Sequence, residues 1–145
     1  MAKNVIFRGS AEINKPILDE AVLVAAIAPG SLMIKDATGK FAVHATANGG
    51  AEEQLYILDA NTLLQLPVTT NVALGDTGQG FEPRPGERYN MLVATGQTID
   101  VLDKPLTSTG TGLLDIATPA TDDVLCYADE IITTTATTLV AVKFK

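Results

Sequence analysis

The sequence has no tryptophan, one cysteine, one histidine and few aromatic residues of any kind, and each shortage excludes something. At 5% aromatics, the chain lacks the flat side chains on which sugars and single-stranded bases stack. A lone Cys126 rules out an intrachain disulfide and any cysteine-built zinc site, and it suits a chain made in a reducing compartment, the cytoplasm. With His44 as the sole imidazole, any catalytic triad must use it, and a metal site has only one to offer. The ten lysines and arginines are scattered singly in a chain of net charge −7, so no basic run exists to track a nucleic acid. Long apolar runs are missing as well. The longest, Ala21 to Ala28, is too short to span a bilayer, and Val5 to Phe7 is too short for the apolar part of a secretory signal.

What remains is a 145-residue chain with 46% hydrophobic residues, enough for one domain with a core. Its hydrophobic pattern repeats every two residues, and the helical period hardly occurs. In SLMIKDATGKFAVHA, Leu32 and Ile34 fall on one face of a first run, and Phe41, Val43 and Ala45 on one face of a second. Between them, Asp36-Ala37-Thr38-Gly39 predicts a hairpin turn. Further strands are predicted over Tyr89 to Ala94, Thr98 to Leu102, Gly112 to Ile116, Val124 to Ala128 and Leu139 to Phe144, the last with Val140, Val142 and Phe144 inward and Lys143 outward. Ala51 to Gln65 reads as a strand followed by a short helical turn. Short strands with close turns predict an all-β barrel or sandwich.

Two segments break the pattern. Residues 1 to 20 hold one apolar patch and Pro16 without alternation, so they read as an N-terminal arm preceding a single domain over 21 to 145. Val72 to Arg88 packs four glycines and two prolines and reads as a long loop.

No motif carries chemistry. In KPLTSTGTGLLDIATP, Gly112 is followed by leucines rather than Lys-Ser/Thr, Asp115 stands where a dinucleotide fingerprint needs glycine, and Pro119 arrives before a helix can form. Thr109 to Gly112 therefore reads as a bend between strands, and Gly75 to Gly80 fails the same tests. Alternation places His44 on the exposed face opposite Phe41 and Val43, whereas Cys126 falls on an inward face as a small buried residue. The acidic pairs Glu52-Glu53, Asp122-Asp123 and Asp129-Glu130 lack the spacing of a calcium loop and read as solvated surface. Neither a metal nor a cofactor is expected, and an enzyme is the least favoured class.

The order of the pieces is informative in another way. An N-terminal arm, Pro29-Gly30-Ser31-Leu32-Met33 with its hairpin, a Pro-Gly-rich segment leading into Asn90 to Ile99, and Pro105-Leu106-Thr107-Ser108-Thr109-Gly110-Thr111-Gly112 together resemble the head decoration (cement) proteins of tailed bacteriophages, lambda-type and longer relatives. The resemblance covers most of residues 20 to 145. It implies a small β-barrel or β-tulip that binds the outside of the mature head, commonly as a homotrimer at threefold and quasi-threefold positions. The implied partners are the major capsid protein and further copies of the chain, with neither nucleic acid nor membrane. The implied place is the virion surface, after synthesis in the bacterial cytoplasm. The implied capsid-binding arm is Ala2, Lys3, Asn4, Val5, Ile6, Phe7, Arg8, Gly9 and Ser10, with Val5, Ile6 and Phe7 as apolar anchors. The chain departs from the smallest members in its length, its lack of tryptophan and the Val72 to Arg88 segment. Another structural β-module of a virion or surface appendage, such as a tail or fibre domain, is the alternative with the same composition.

Overall fold

The computed structural model describes residues 3–9 and 16–145, so Ala2 and Ser10 of the expected arm lie outside the described residues. The described chain is all β, with no helix. Its strands are β1 (Phe7–Gly9), β2 (Ile17–Val22), β3 (Leu32–Lys35), β4 (Phe41–Val43), β5 (Tyr56–Leu58), β6 (Thr77–Glu82), β7 (Arg88–Val93), β8 (Thr98–Ile99), β9 (Pro105–Ser108), β10 (Leu114–Ile116), β11 (Cys126–Ala128), β12 (Ile132–Thr133) and β13 (Thr138–Lys143).

Strands β7, β10, β9, β11 and β13 follow one another by hydrogen bonding, and β13 pairs back onto β7, which closes a five-stranded barrel. The β7–β13 ladder runs unbroken from Thr138↔Val93 to Lys143↔Arg88 and is the seam of that barrel. Alternation explains it. Tyr89, Met91 and Val93 lie beside Val140, Val142 and Phe144 on the inner face, with Val140 opposite Met91 and Val142 opposite Tyr89, in a core that also holds Leu106, Leu114 and Cys126.

A second sheet runs β2-β6-β5-β3-β4. It curls until Leu23, just past β2, bridges Phe41 on β4, with Val24 N–H donating to the Phe41 carbonyl at 3.0 Å. Its middle strands form a wall between two cores. Leu32, Ile57 and Phe81 pack into the barrel core, while their neighbours Met33, Tyr56 and Leu58 pack into a smaller cluster with Leu23, Ile27, Phe41 and Val72. Leu32 and Met33 point to opposite faces of the first hairpin strand and are both buried, because β3 has a core on each side. The hairpin itself is as expected. Asp36 Oδ1 accepts from Thr38 N (2.8 Å), Thr38 Oγ1 (2.7 Å) and Lys40 N (3.0 Å), and Gly39 has φ of 78°.

Three expectations change. Residues 62 to 65 after β5 form turns rather than a helical turn. The segment Val72 to Arg88 is not one loop, because β6 lies inside it, paired with β2 along its whole length. Its glycines are there for space: a Cβ on Gly80 would lie 2.8 Å from Phe41 Cζ, and one on Gly78 would lie 2.5 Å from Leu23 Cδ1. Lastly, the division at residue 20 cuts through β2, and the N-terminal stretch is built into the domain. Phe7 pairs with Tyr89 and Gly9 with Arg88 across a bulge, and Ile6 is 1% exposed inside the barrel core.

Candidate functional site

His44 is fully buried, not exposed. Alternation misplaces it because β4 ends at Val43, so His44 no longer follows the strand period. There the chain turns inward, with His44 N–H donating to the Leu32 carbonyl (2.9 Å) and Gly112 N–H donating to the His44 carbonyl (3.2 Å). The ring Nδ1 lies 2.7 Å from Ser108 Oγ, and Nε2 lies 2.8 Å from Glu53 Oε2. The Nε2 contact is close but lacks hydrogen-bond geometry.

Serine, histidine and a carboxylate thus meet, which sequence reasoning did not foresee. The arrangement does not serve acyl transfer, which needs a nucleophile open to a carbonyl and a nearby oxyanion site. Ser108 is buried on all sides and its Oγ accepts from Gly110 N–H at 3.0 Å. Gly50 covers the ring so closely that a Cβ there would lie 2.1 Å from Nε2. The cluster is a clip that joins the exit of β4, the Gly50 to Glu53 turn and the end of β9.

Thr109 to Gly112 is a bend, as expected. It joins β9 to β10, with Ser108 opposite Leu114, and Gly110 and Gly112 have φ of 84° and 83°. Cys126 sits in the barrel core, where burial pushes its thiol up and suppresses the thiolate.

The acidic pairs do structural work. Asp123 Oδ2 accepts from Ala51 N–H (3.1 Å) and Asp122 Oδ2 from Thr118 N–H (2.8 Å). Asp129 and Glu130 are half-buried rather than solvated, and they hold the N-terminal stretch through Arg8–Asp129 (3.0 Å) and Lys3–Glu130 (2.8 Å). Asn90 adds two backbone ties, its side-chain amide to the Val5 carbonyl and its N–H to the Ile6 carbonyl, both at 2.7 Å. Among the described residues, no group of three or more His, Cys, Asp or Glu is placed to hold a metal.

Of the expected arm anchors, then, Ile6 belongs to the core, Phe7 stacks near Phe81 and Tyr89, and only Val5, 52% exposed, faces outward. Open grooves flank this stretch. One of about 370 Å³ is lined by Val5, Phe7, Asp59, Leu66 and Pro67, and one of about 540 Å³ by Lys3, Pro29, Val68, Leu92 and Leu139.

Unsatisfied apolar surface lies elsewhere. The β8–β12 ladder, with Ile132 opposite Ile99, sets Ile131 beside the turn that carries Val101 and Leu102, and all three are more than half exposed. Leu63 and Leu64 stand out from the turn after β5, the former 72% exposed. Exposed apolar side chains grouped at a turn are candidates for a contact surface. The sequence pattern placed Val101 and Leu102 in a strand, but pairing stops at Ile99 and leaves both outside. No protein-family model matches the chain, and no curated protein matches it.

Proposed function

We propose that the protein is a capsid decoration protein of a tailed bacteriophage, binding the outer surface of the mature head as a homotrimer at threefold and quasi-threefold positions and stabilising the shell. The observation that carries this reading is the exposed apolar tip of Val101, Leu102 and Ile131 on an otherwise well-packed β-domain. A bridging clamp needs rigid, separated contact points, and Leu63 and Leu64 supply a second. Weak contacts made several at a time by one trimer add up through effective concentration. The sequence resemblance, spread over the hairpin, β7 and the β9–β10 bend, gives the reading its direction.

The test is co-sedimentation with expanded, undecorated heads, followed by electron microscopy. Wild-type protein should sediment with heads and give density at shell threefolds. A variant with Val101, Leu102 and Ile131 all changed to Ser should melt as wild type does and attach much more weakly. Density on tails instead would favour the tail or fibre reading, and unchanged attachment by the triple variant would remove this tip from the interface.

A further inference from the structure

Strand β2 is the outermost strand of its sheet and pairs, among the described strands, only with β6. Its backbone parity follows from the next residue. Leu23 N–H donates to the Asp76 carbonyl (3.0 Å) and the Leu23 carbonyl accepts from Gly75 N–H (3.0 Å), so odd-numbered residues turn their main-chain groups toward β6. Leu18, Glu20 and Val22 therefore turn theirs to the open edge. Val24 keeps the parity, and there the outward N–H is taken by the Phe41 carbonyl. Glu20 N–H is occupied by no strand; the carboxylate of Asp19 holds it at 2.9 Å. The edge is thus filled at Val24 and free of any strand over Leu18 to Val22 among the described residues.

The side chains of this stretch form a pattern. Leu18, Glu20 and Val22 share the exposed face, while Asp19 is engaged on the other side by Lys35. Leu18 is 46% exposed, Val22 36% and the following Val24 39%, an apolar stripe with one carboxylate set into it. Among the described residues, that carboxylate accepts from the Gln79 amide at 3.3 Å and pairs with no cation, which leaves its charge uncompensated.

We propose that the open edge of β2 accepts an extended strand from a partner protein, one that carries Lys or Arg between two apolar residues at alternate positions, with the basic residue opposite Glu20. Strand addition supplies main-chain hydrogen bonds at Leu18 and Val22, and the alternate side chains supply selectivity. Charge decides against a second copy. Antiparallel self-pairing centred on Glu20 sets the two carboxylates opposite each other, and a shift by two residues sets each against a leucine or valine and shortens the ladder. Asp19 guards the edge against indiscriminate pairing by occupying Glu20 N–H, and an incoming strand must displace it. The inference does not depend on the capsid reading and is tested without heads.

The experiment measures fluorescence anisotropy of a labelled peptide Thr-Val-Thr-Lys-Thr-Val-Thr with the full-length protein, against the same peptide with Glu replacing Lys. The Lys peptide should bind about fivefold more tightly. Glu20→Lys should invert the preference. Val22→Pro removes an outward N–H without touching the ladder to β6 and should weaken both peptides about tenfold; where it fails to fold, Glu20→Lys alone decides. Equal affinity for the two peptides, no binding of either, or an unaltered preference in Glu20→Lys overturns the proposal. Concentration-dependent dimerisation abolished by Val22→Pro also overturns it, in favour of a second copy.

Discussion

At the scale of single residues, His44 shows how burial turns a chemically suggestive trio into a fastener. Its imidazole fills the space between Ser108 and Glu53, so truncation removes both a hydrogen-bond partner and packed volume. His44→Ala should cost about 2–4 kcal/mol, read as a lower urea midpoint with unchanged slope. Glu53→Gln should cost under about 1 kcal/mol, because that carboxylate is 40% exposed. An unaltered midpoint in His44→Ala would mean that the clip holds nothing. A second residue-scale prediction concerns the bend. Gly112→Val places a side chain at positive φ against Val43, where even a Cβ would lie 3.1 Å from Cγ1, and should cost about 2 kcal/mol or more in the same measurement. Added ATP should leave the melting temperature of the wild type where it was, since the bend offers no phosphate cradle. At this scale the sequence was most legible where one residue type has few uses, as with Gly110, Gly112, Asp36 and buried Cys126. It misled at His44, because a period of two holds only while a strand lasts.

At the scale of elements, the N-terminal strand carries the largest change of view. An arm that ordered only on a partner could be removed without harm, but β1 is held by β7, by two ion pairs and by Ile6 in the barrel core. Ile6→Ala should therefore cost about 2–5 kcal/mol. Deleting residues 2 to 10 should lower the melting temperature of the free protein by well over the few degrees that a frayed terminus would give. A truncated protein that melts like wild type would restore the free-arm reading. The strands that were legible, β7 and β13, carry long apolar runs bounded by turns and pair along a six-residue ladder. Those missed had no such signal. The core residue of the β1 segment lies within a three-residue apolar run, and β6 is disguised by glycines that make room for Phe41 and Leu23; β3 and β5 were expected as strands, but their adjacent buried residues, which divide two cores, hid which way each side chain faces. Nor could pattern locate the exposed tip at Val101 to Ile131, which exists only because β8 stops pairing after two residues.

At the scale of the whole molecule, the excess of carboxylates governs how stability responds to acid, and two groups of them act in opposite senses. Asp36 is held below the ordinary aspartate value of 3.8 by its hydrogen bond from Thr38, Asp19 by Lys35, Asp100 by Lys104 and Asp103 by Lys143. Groups lowered by folding contribute stability that is present above their unfolded value and lost as pH falls through the folded one, that is, below 3.8. Asp59 and Asp115 are raised, chiefly by burial, so their ionisation opposes folding at neutral pH and that opposition lifts as pH falls toward 3.8. Mutual repulsion within a chain of net charge −7 also relaxes as the pH approaches the isoelectric point near 4.5. Urea midpoints measured from pH 7 downward should therefore hold level or rise slightly to about the isoelectric point, then drop steeply below 3.8. Asp115→Asn should raise the midpoint at pH 7 and flatten the rise, since Asp115 Oδ1 is buried without a hydrogen-bond partner. A midpoint that falls steadily between pH 7 and pH 5 would show that carboxylates other than these control the fold, and that the ion pairs at Asp19 and Asp103 contribute less than their geometry suggests.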